Sequence, residues 1–273
     1  MKSHESSGCC LTIAGSDSGG NAGVQADLRT FHAYALHGCT VLTALTAQNP
    51  SGVSAIHAVP AEFVAAQLDA ILDVYDIRSL KTGMLAESAI IETVAERFRR
   101  HPEIAKVVDP VMVATSGAKL ISDDAVETLK AKLLPLATVI TPNLPEAEVL
   151  CGRRPDRRRA GRALSARELA RELADRFGCA VLVKGGHCTG SAAVDVLFDG
   201  KTCREFAMPW VKNAVSTHGT GCTLAAALAA ELALGHELAP AVAAAKAHVR
   251  EAIVRAHSVG RRCGVLGFVP RTA

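Results

Sequence analysis

The chain has 273 residues, 49% of them hydrophobic, which is enough for one large α/β domain or two small ones with a sizeable core. The formal net charge is only +3 and the chain has two Tyr and one Trp, so a nucleic-acid surface with stacking aromatic side chains is disfavoured. Nine cysteines, an odd number without a CxxC pair, fit neither a disulfide framework nor a zinc ribbon, and we expect reduced thiols.

The beginning of the chain and its apolar segments argue against export and against a membrane partner. Lys2 is followed by His4, Glu5 and serines, with only a short apolar run before Gly15, which is not typical of a signal peptide. The apolar segment 224–234 is far shorter than the ~20 residues that a bilayer core requires. We therefore expect a cytoplasmic protein.

Strand and helix patterns alternate along the chain. Short apolar runs predict strands at 9–14, 40–47, 77–82, 106–109, 137–140 and 180–184, and a hairpin from 194–198 and 202–206. Helical spacing of apolar residues predicts helices at 24–34, 60–74, 88–100, 123–133, 165–177, 224–233 and 240–257. This alternation predicts a single α/β domain over 1–273, a doubly wound, mostly parallel central sheet with helices on both faces, in which 1–8 and 260–273 are peripheral tails.

The first half of the chain places polar residues just after predicted strands, where open parallel sheets bind ligands. A glycine-rich loop, 15–23, precedes the first helix but does not match a Walker A loop. Asp27, one turn into that helix, either holds an amine or hydroxyl of a small ligand or is a solvated helix-start acid. Gln48 suits the edge of a heterocycle or stabilises a turn, and Met84 is more typical of a core residue than of a ligand contact.

The next strand ends suggest a cation and a phosphate. Asp109 ends a buried strand before a proline, a position typical of metal-linked chemistry or of a turn. Asn143 and Glu146 are three apart at a helix start, so they either hold Mg²⁺ or its waters, or form a helix cap with Pro145 in the first turn. Lys184, followed by two glycines, faces a phosphate or is a surface lysine at a turn.

The segment 216–223, before an alanine-rich helix, predicts an anion cradle with a thiol at its mouth. Its two glycines allow close backbone approach, and the helix directs unpaired N–H groups and the positive end of its dipole there. The dipole predicts a lowered pKa for Cys222. The alternative is a turn capped by Thr220, with Cys222 as a small buried hydrophobe. The arginine-rich segment 153–162 is a solvated loop or a polyanion contact.

Eight short motifs occur in order: AGSDSGG (14–20), AGVQAD (22–27), AQN (47–49), KTGML (81–85), DPVM (109–112), TPN (141–143), VKGGH (183–187) and THGTGCT (217–223). Together they closely resemble the hydroxymethylpyrimidine/phosphomethylpyrimidine kinases of thiamine biosynthesis, members of the ribokinase-like superfamily. The resemblance runs from about residue 11 to residue 257 and is specific only as a set.

The resemblance implies two ATP-dependent phosphorylations at one site, first of the hydroxymethyl oxygen of 4-amino-5-hydroxymethyl-2-methylpyrimidine and then of its monophosphate. It implies that the pyrimidine pocket is lined by Gly15, Asp27, Gln48, Met84 and Val111. It also implies a homodimer.

The resemblance further assigns the reacting groups. The transferring phosphoryl group binds Gly219, Thr220 and Gly221, and Cys222 replaces the aspartate base of many related sugar kinases, accepting or orienting the hydroxyl proton. The residues implied near ATP are Lys184, Lys246, Asn143 and Thr217, with Lys184 also in the catalytic set. Those implied to organise Mg²⁺ through water are Asp109, Asn143 and Glu146.

Two departures and two alternatives accompany the resemblance. Asn21 replaces a usual loop glycine, which is tolerable because asparagine accepts left-handed backbone, and the tail lacks the expected Gly-x-Gly-Pro ending. A pyridoxine/pyridoxal kinase is the alternative activity, against which Gln48 with Met84 favours the pyrimidine. A non-catalytic precursor-binding protein is the other alternative, disfavoured by the joint presence of Cys222, Lys184 and Lys246.

Overall fold

The computed structural model describes residues 8–50, 52–113, 117, 120–153, 165–185, 192–260, 263–268 and 270. Its centre is a nine-stranded sheet with the strand order β3-β2-β1-β4-β5-β6-β7-β8-β9. The strands are β1 Cys9–Asp17, β2 His37–Asn49, β3 Gly52–Ala58, β4 Ile77–Thr82, β5 Ala105–Val108, β6 Val139–Ile140, β7 Ala180–Val183, β8 Ala192–Phe198 and β9 Cys203–Pro209.

Six neighbouring strands, β2, β1, β4, β5, β6 and β7, run parallel. β3 pairs antiparallel with β2, and β8 and β9 form the predicted hairpin, whose turn uses Gly200 at φ 91°. The mostly parallel sheet is therefore confirmed, whereas β3 was not predicted from the sequence.

Helices cover both faces of the sheet, as predicted. They are α1 Gly23–Ala33, α2 Ala61–Leu72, α3 Ser88–Arg100, α4 Asp123–Thr128, α5 Leu144–Leu150, α6 Ala166–Phe177, α7 Thr220–Ala233 and α8 Leu238–Val254. The helix expected over 123–133 is α4 continued by a π-helical turn, Leu129–Leu133, and a 3₁₀ turn, Leu134–Leu136.

Alternation along β1 divides the core into two layers. Cys9, Leu11 and Ile13 belong to the cluster that includes α2, α3 and α6, whereas Cys10 belongs to the cluster that includes α1, α7 and α8. Successive strand residues point to opposite faces of a sheet, so a nearly continuous apolar strand supplies both layers at once.

The carboxyl ends of the parallel strands meet at one edge of the sheet, which brings the polar residues that follow them together. Asp17 ends β1, Thr82 ends β4, Asp109 follows β5 and Lys184 follows β7. The amino ends, which include Cys9 and His37, form the opposite edge. The polar residues after β1, β4, β5 and β7 therefore lie one strand length away from Cys9 and His37.

A two-stranded sheet follows α8, formed by β10 His257–Gly260 and β11 Cys263–Val265. It packs close to the loop before α7, since a Cβ on Gly264 would lie 2.6 Å from the carbonyl oxygen of Val215. Cys263 Sγ lies 4.0 Å from Asn21 Nδ2. Part of the tail expected to be peripheral thus touches the glycine-rich loop.

Two predicted features fall on undescribed residues. The arginine-rich segment lies outside the described residues beyond Arg153, and so do Gly186 and His187 of the motif after β7. Among the described residues, no helix has the length and apolarity needed to cross a membrane.

Candidate active site

The glycine-rich loop after β1 is held by the carboxylate of Asp17. It accepts backbone N–H bonds from Gly19 at 2.8 Å, Asn21 at 2.9 Å and Ala22 at 2.8 Å. Burial alone would raise the pKa of Asp17, but interactions with His218 and with these N–H groups outweigh it, and the pKa lies below its ordinary value. An acid followed by Ser-Gly-Gly is a turn signal that sequence reasoning could have used.

Left-handed backbone in this loop falls on Gly20 and Gly23, at φ 73° and 59°. Asn21 is not among the residues with positive φ, so the loop does not need the left-handed tolerance of asparagine at this position. A Cβ on Gly23 would lie 2.3 Å from the carbonyl oxygen of Gly15, so the turn closes too tightly for any side chain there.

The second loop, before α7, presses directly against the first. Gly219 is the N-cap of α7 at φ 87°, and a Cβ there would lie 1.9 Å from the carbonyl oxygen of Asn21. Thr220 does not cap the helix as the alternative proposed, because its Oγ1 donates to the carbonyl of the exposed Thr217 at 3.0 Å. The first N–H groups of α7, including that of Gly221, have no intrahelical acceptor, and the Thr220 N–H donates to the Thr217 carbonyl before the helix at 3.4 Å.

Cys222 lies in the first turn of α7, and its thiol receives a hydrogen bond from the backbone N–H of Gly23. Its pKa is raised above the ordinary value, because burial and the carboxylates of Asp27 and Asp109 outweigh the favourable charge of Lys81. The lowering expected from the helix dipole is therefore wrong, and the resting sulfur is a protonated thiol.

A buried ion pair that the sequence did not predict lies close to Cys222. Lys81 Nζ and Asp27 Oδ2 are 2.8 Å apart, both side chains are 0% exposed, and the Thr12 hydroxyl donates to the same oxygen at 2.6 Å. Asp27 Oδ1 is buried, and no described residue donates a hydrogen bond to it. Asp27 is therefore fully buried in an ion pair, so the alternative of a solvated helix-start acid is wrong.

The other residues expected to contact the pyrimidine lie at the ends of β1, β2, β4 and β5. Gly15 adjoins Met84, whose Sδ would be 3.3 Å from a Cβ on that glycine. Gln48 is half-buried, accepts from Thr46 at 3.3 Å and is joined to the glycine-rich loop through Ser18. Val111 is half-buried after β5. The structure thus collects Gly15, Met84, Gln48 and Val111 along one edge of the sheet.

Lys184 extends toward the start of α7. Its Nζ lies 2.7 Å from Asp109 Oδ1, and that oxygen also accepts from the Thr141 hydroxyl at 3.0 Å. The same Nζ would be 3.6 Å from a Cβ on Gly221. Burial opposes the ammonium charge, but Asp109, Glu146 and Cys222 raise the pKa of Lys184. A fixed positive charge therefore faces the N-terminus of α7, and this arrangement suits an anion.

Asn143 and Glu146 form a capping box at α5, which confirms the helix-cap alternative. Asn143 Oδ1 accepts from the Glu146 N–H at 2.9 Å, and Glu146 Oε2 accepts from the Asn143 N–H at 2.8 Å. Burial and the nearby Asp109 raise the pKa of Glu146 to about 7, although Lys184 lowers it. This crowding of buried carboxylates is the charge pattern that a divalent cation relieves.

Lys246 makes a different contact from the one expected. Its Nζ lies 2.6 Å from Asp195 Oδ2 on β8, and both side chains are largely buried. Asp195 Oδ1 in turn accepts from the Gly185 N–H at 2.8 Å. Lys246 therefore holds the chain just after β7 through Asp195, an indirect position that sequence spacing did not reveal.

An α/β sheet of this order, with a glycine-rich loop at β1 and an anion-binding helix N-terminus beside a lysine, defines a kinase of small molecules with the ribokinase-like fold. The family model described as phosphomethylpyrimidine kinase matches residues 17–267. The chain belongs to the phosphomethylpyrimidine kinase family.

Several named relatives cover most of the chain. It is 49% identical over 243 residues to the hydroxymethylpyrimidine/phosphomethylpyrimidine kinase of Rhizobium meliloti, with 89% of each chain covered. A thiamine biosynthesis bifunctional protein of Geobacter sulfurreducens is 47% identical over 263 residues, which are 96% of this chain but 52% of that protein. The chain thus spans about half the length of the bifunctional relative.

Solved structures share the fold. The ADP complex of Bacillus subtilis pyridoxal kinase has a TM-score of 0.86 and 35% identity and covers 96% of this chain and 98% of its own. A phosphomethylpyrimidine kinase from Clostridium difficile 630 has a TM-score of 0.77 and 36% identity and covers 90% of this chain and 99% of its own. These similarities confirm the ribokinase-like fold.

Proposed function

We propose that this chain transfers a phosphoryl group from ATP to the hydroxymethyl oxygen of 4-amino-5-hydroxymethyl-2-methylpyrimidine, and then to the phosphate of that product. The observation that carries the proposal is the contact of Gly219 with Asn21, which brings the N-terminus of α7, Cys222 and Lys184 to the edge where Gly15 and Met84 meet. Relatives named for both pyrimidine phosphorylations are 44–49% identical to the chain.

The proposed phosphoryl site is the N-terminus of α7. The N–H groups of Gly219, Thr220 and Gly221 together with the Lys184 ammonium offset the charge that the transferring group spreads over its oxygens. These donors are fixed in place before the ligand binds, because Gly219 cannot move from the loop it touches without opening that contact. Preorganised donors of this kind lower the barrier without a reorganisation cost during the reaction.

The proposed nucleotide site uses residues whose fit can be judged from their present partners. Lys184, Asp109 and Glu146 form a charged group with two carboxylates and one ammonium, and this donor set suits Mg²⁺ held through water beside a phosphate. Asn143 hydrogen-bonds Glu146 and pairs with Lys184, and Lys246 acts through Asp195. Thr217, in the loop before α7, is proposed to contact the nucleotide. ATP supplies the phosphoryl group and Mg²⁺ neutralises charge on its phosphates.

Cys222 is proposed to receive the proton of the attacking hydroxyl. In a loose transition state the nucleophile has formed little bond, so the proton leaves late and a weak base suffices. The thiol must be ionised to accept a proton, and the Gly23 N–H and Lys81 stabilise the ionised form. Because burial raises its pKa, the thiolate fraction and the transfer rate are expected to rise with pH.

The substrate is proposed to lie between Gly15, Gln48, Met84 and Val111. Gly15 lies against the thioether of Met84, since a Cβ on the glycine would be 3.3 Å from Sδ. The amide of Gln48 presents a donor and an acceptor to the ring edge. Asp27 contributes from behind, since its buried ion pair with Lys81 fixes the floor beneath Cys222.

A pyridoxal kinase activity is the second candidate, favoured by the TM-score of 0.86 to a pyridoxal kinase. Coupled ADP release should be measured with the hydroxymethylpyrimidine, its monophosphate and pyridoxal. Cys203→Ser on β9 should keep the wild-type rate and is the control for Cys222→Ser. The proposal expects the highest kcat/KM for the pyrimidine. A higher value for pyridoxal would reverse the order, and no ADP release with any of them would revive the binding-protein alternative.

The chain is further proposed to act as one kinase domain and as a homodimer. Leu45 and Ile56 lie on the paired ends of β2 and β3 and are 46% and 41% exposed. Among the described strands β3 is an edge strand, and an edge with apolar side chains suits pairing with another copy. Sedimentation equilibrium of the wild type and of Ile56→Glu tests this, and a monomeric wild type would contradict it.

A further inference from the structure

Three ligand-type side chains meet at the amino ends of β1 and β2, at the sheet edge opposite α7. One potential ligand atom from each of Cys9, His37 and Cys39 lies within 4.8 Å of the others. The two sulfurs are 3.5 Å apart. The strand register explains this, because Cys9 pairs with His37 and Cys39 lies two residues further along the same face.

The geometry favours a shared ion over a disulfide. Strands are spaced about 4.8 Å apart and two residues advance about 6.6 Å, so the Cα atoms of Cys9 and Cys39 are on the order of 8 Å apart. A disulfide requires less than about 7 Å. Two thiolates bound tetrahedrally at about 2.3 Å from Zn²⁺ have sulfurs roughly 3.8 Å apart, close to the observed separation.

The surroundings suit a thiolate and imidazole site. Cys9 and Cys39 are each 5% exposed, whereas His37 is exposed and its ring stacks on Tyr75 with centroids 5.6 Å apart and planes at 5°. The stacking fixes the orientation of the imidazole. Asp76 directly precedes Ile77, which pairs with Cys9, so a carboxylate stands at the same edge of the sheet.

We propose that Cys9, His37 and Cys39 bind one Zn²⁺ through two thiolates and one imidazole nitrogen, with water as the fourth ligand. Three protein ligands and an open position are an established coordination pattern for zinc. Each thiol loses its proton on binding, so one Zn²⁺ displaces two protons and no electrons are transferred. The ion ties the start of β1 to the start of β2, far from the transfer chemistry.

The test uses the full chain without a tag, reduced and treated with a chelator, and then titrated with Zn²⁺ or Co²⁺. One ion per chain and a sulfur-to-cobalt charge-transfer band are expected. Cys9→Ala and Cys39→Ala should remove the band, and His37→Gln should weaken binding by more than about 10-fold. Cys10→Ala, whose side chain lies on the opposite face of β1, is the matched control and should bind normally.

Three results would overturn the proposal: no retained ion, binding without a sulfur band, or equal weakening by Cys10→Ala. A disulfide between Cys9 and Cys39 in the reduced and reoxidised chain, seen by mass spectrometry, would also overturn it. His37→Gln keeps the test decisive if a cysteine variant folds poorly, because His37 is exposed and its replacement leaves the core intact. Circular dichroism checks the fold of each variant.

Discussion

Replacing Lys81 with methionine removes one charge from a fully buried ion pair and leaves the Asp27 carboxylate without a counter-ion. A buried carboxylate without a counter-ion is destabilised by its charge, so it binds a proton in the folded state. At pH 7, protonating a group whose unfolded pKa is about 3.9 costs about 4 kcal/mol. Burial already raises the pKa of Asp27 in the wild type, so we expect Lys81→Met to lower the free energy of unfolding by up to that amount, and the melting temperature by up to roughly 7 °C for a chain of this length.

The pH dependence identifies the cause. In the variant, the folded pKa of Asp27 exceeds its unfolded value, so the folded state binds more protons between these values. The free energy of unfolding of the variant is therefore highest below the unfolded pKa of Asp27. It falls as pH rises, by about 1.4 kcal/mol per pH unit above about pH 4. Urea unfolding at several pH values measures this slope.

Two matched variants complete the experiment. Lys81→Met with Asp27→Asn removes the titrating group, so it should recover most of the lost stability and lose the slope. Arg255→Met breaks an exposed pair with Glu251 and should cost below about 1 kcal/mol. The reasoning is refuted if Lys81→Met costs no more than Arg255→Met, or if its cost does not vary with pH.

Three further predictions concern the site. Gly219→Ala places a Cβ 1.9 Å from the Asn21 carbonyl oxygen and should lower kcat by about 100-fold or more in a folded protein, with unchanged far-UV circular dichroism. Cys222→Ser should lower kcat by about 100-fold with little change in KM for the pyrimidine. We expect the wild-type kcat to rise between neutral pH and the ordinary thiol pKa of 9.0, and this rise should be absent in the variant. Wild-type turnover in the variant would exclude the base role. Lys246→Met leaves the buried Asp195 carboxylate without its counter-ion, so it should lower stability by about 3 kcal/mol in urea unfolding and raise KM for ATP. An unchanged unfolding midpoint would contradict this.

Much of the fold could be predicted because the strands are short apolar runs between turn residues. β4 and α3 have the predicted bounds, since each combines clear periodicity with polar residues at its ends. β3 escaped because its residues are mostly exposed and follow no alternation, so only its pairing with β2 defines it. The π-helical turn after α4 also has no local sequence signal.

The site could be predicted as a place, but not in its charge pairing. Polar residues at strand ends had to meet at one edge of a parallel sheet. The partners of Asp27 and Lys246 lie 54 and 51 residues away in sequence, and no local pattern links them. The direction of the pKa shift of Cys222 was predicted wrongly for the same reason. The dipole is local to α7, whereas burial and the opposing carboxylates come from tertiary packing.

The contact between Asn21 and Gly219 makes phosphoryl transfer a measure of completed folding. Forming it closes a loop of about 200 residues, which costs roughly 5 kcal/mol in chain entropy from its length alone. Regained activity should therefore follow regained helix content in refolding, and a chain cut before α7 should bind little ATP. Ligands that bridge the two loops should in turn protect both ends of the chain from unfolding.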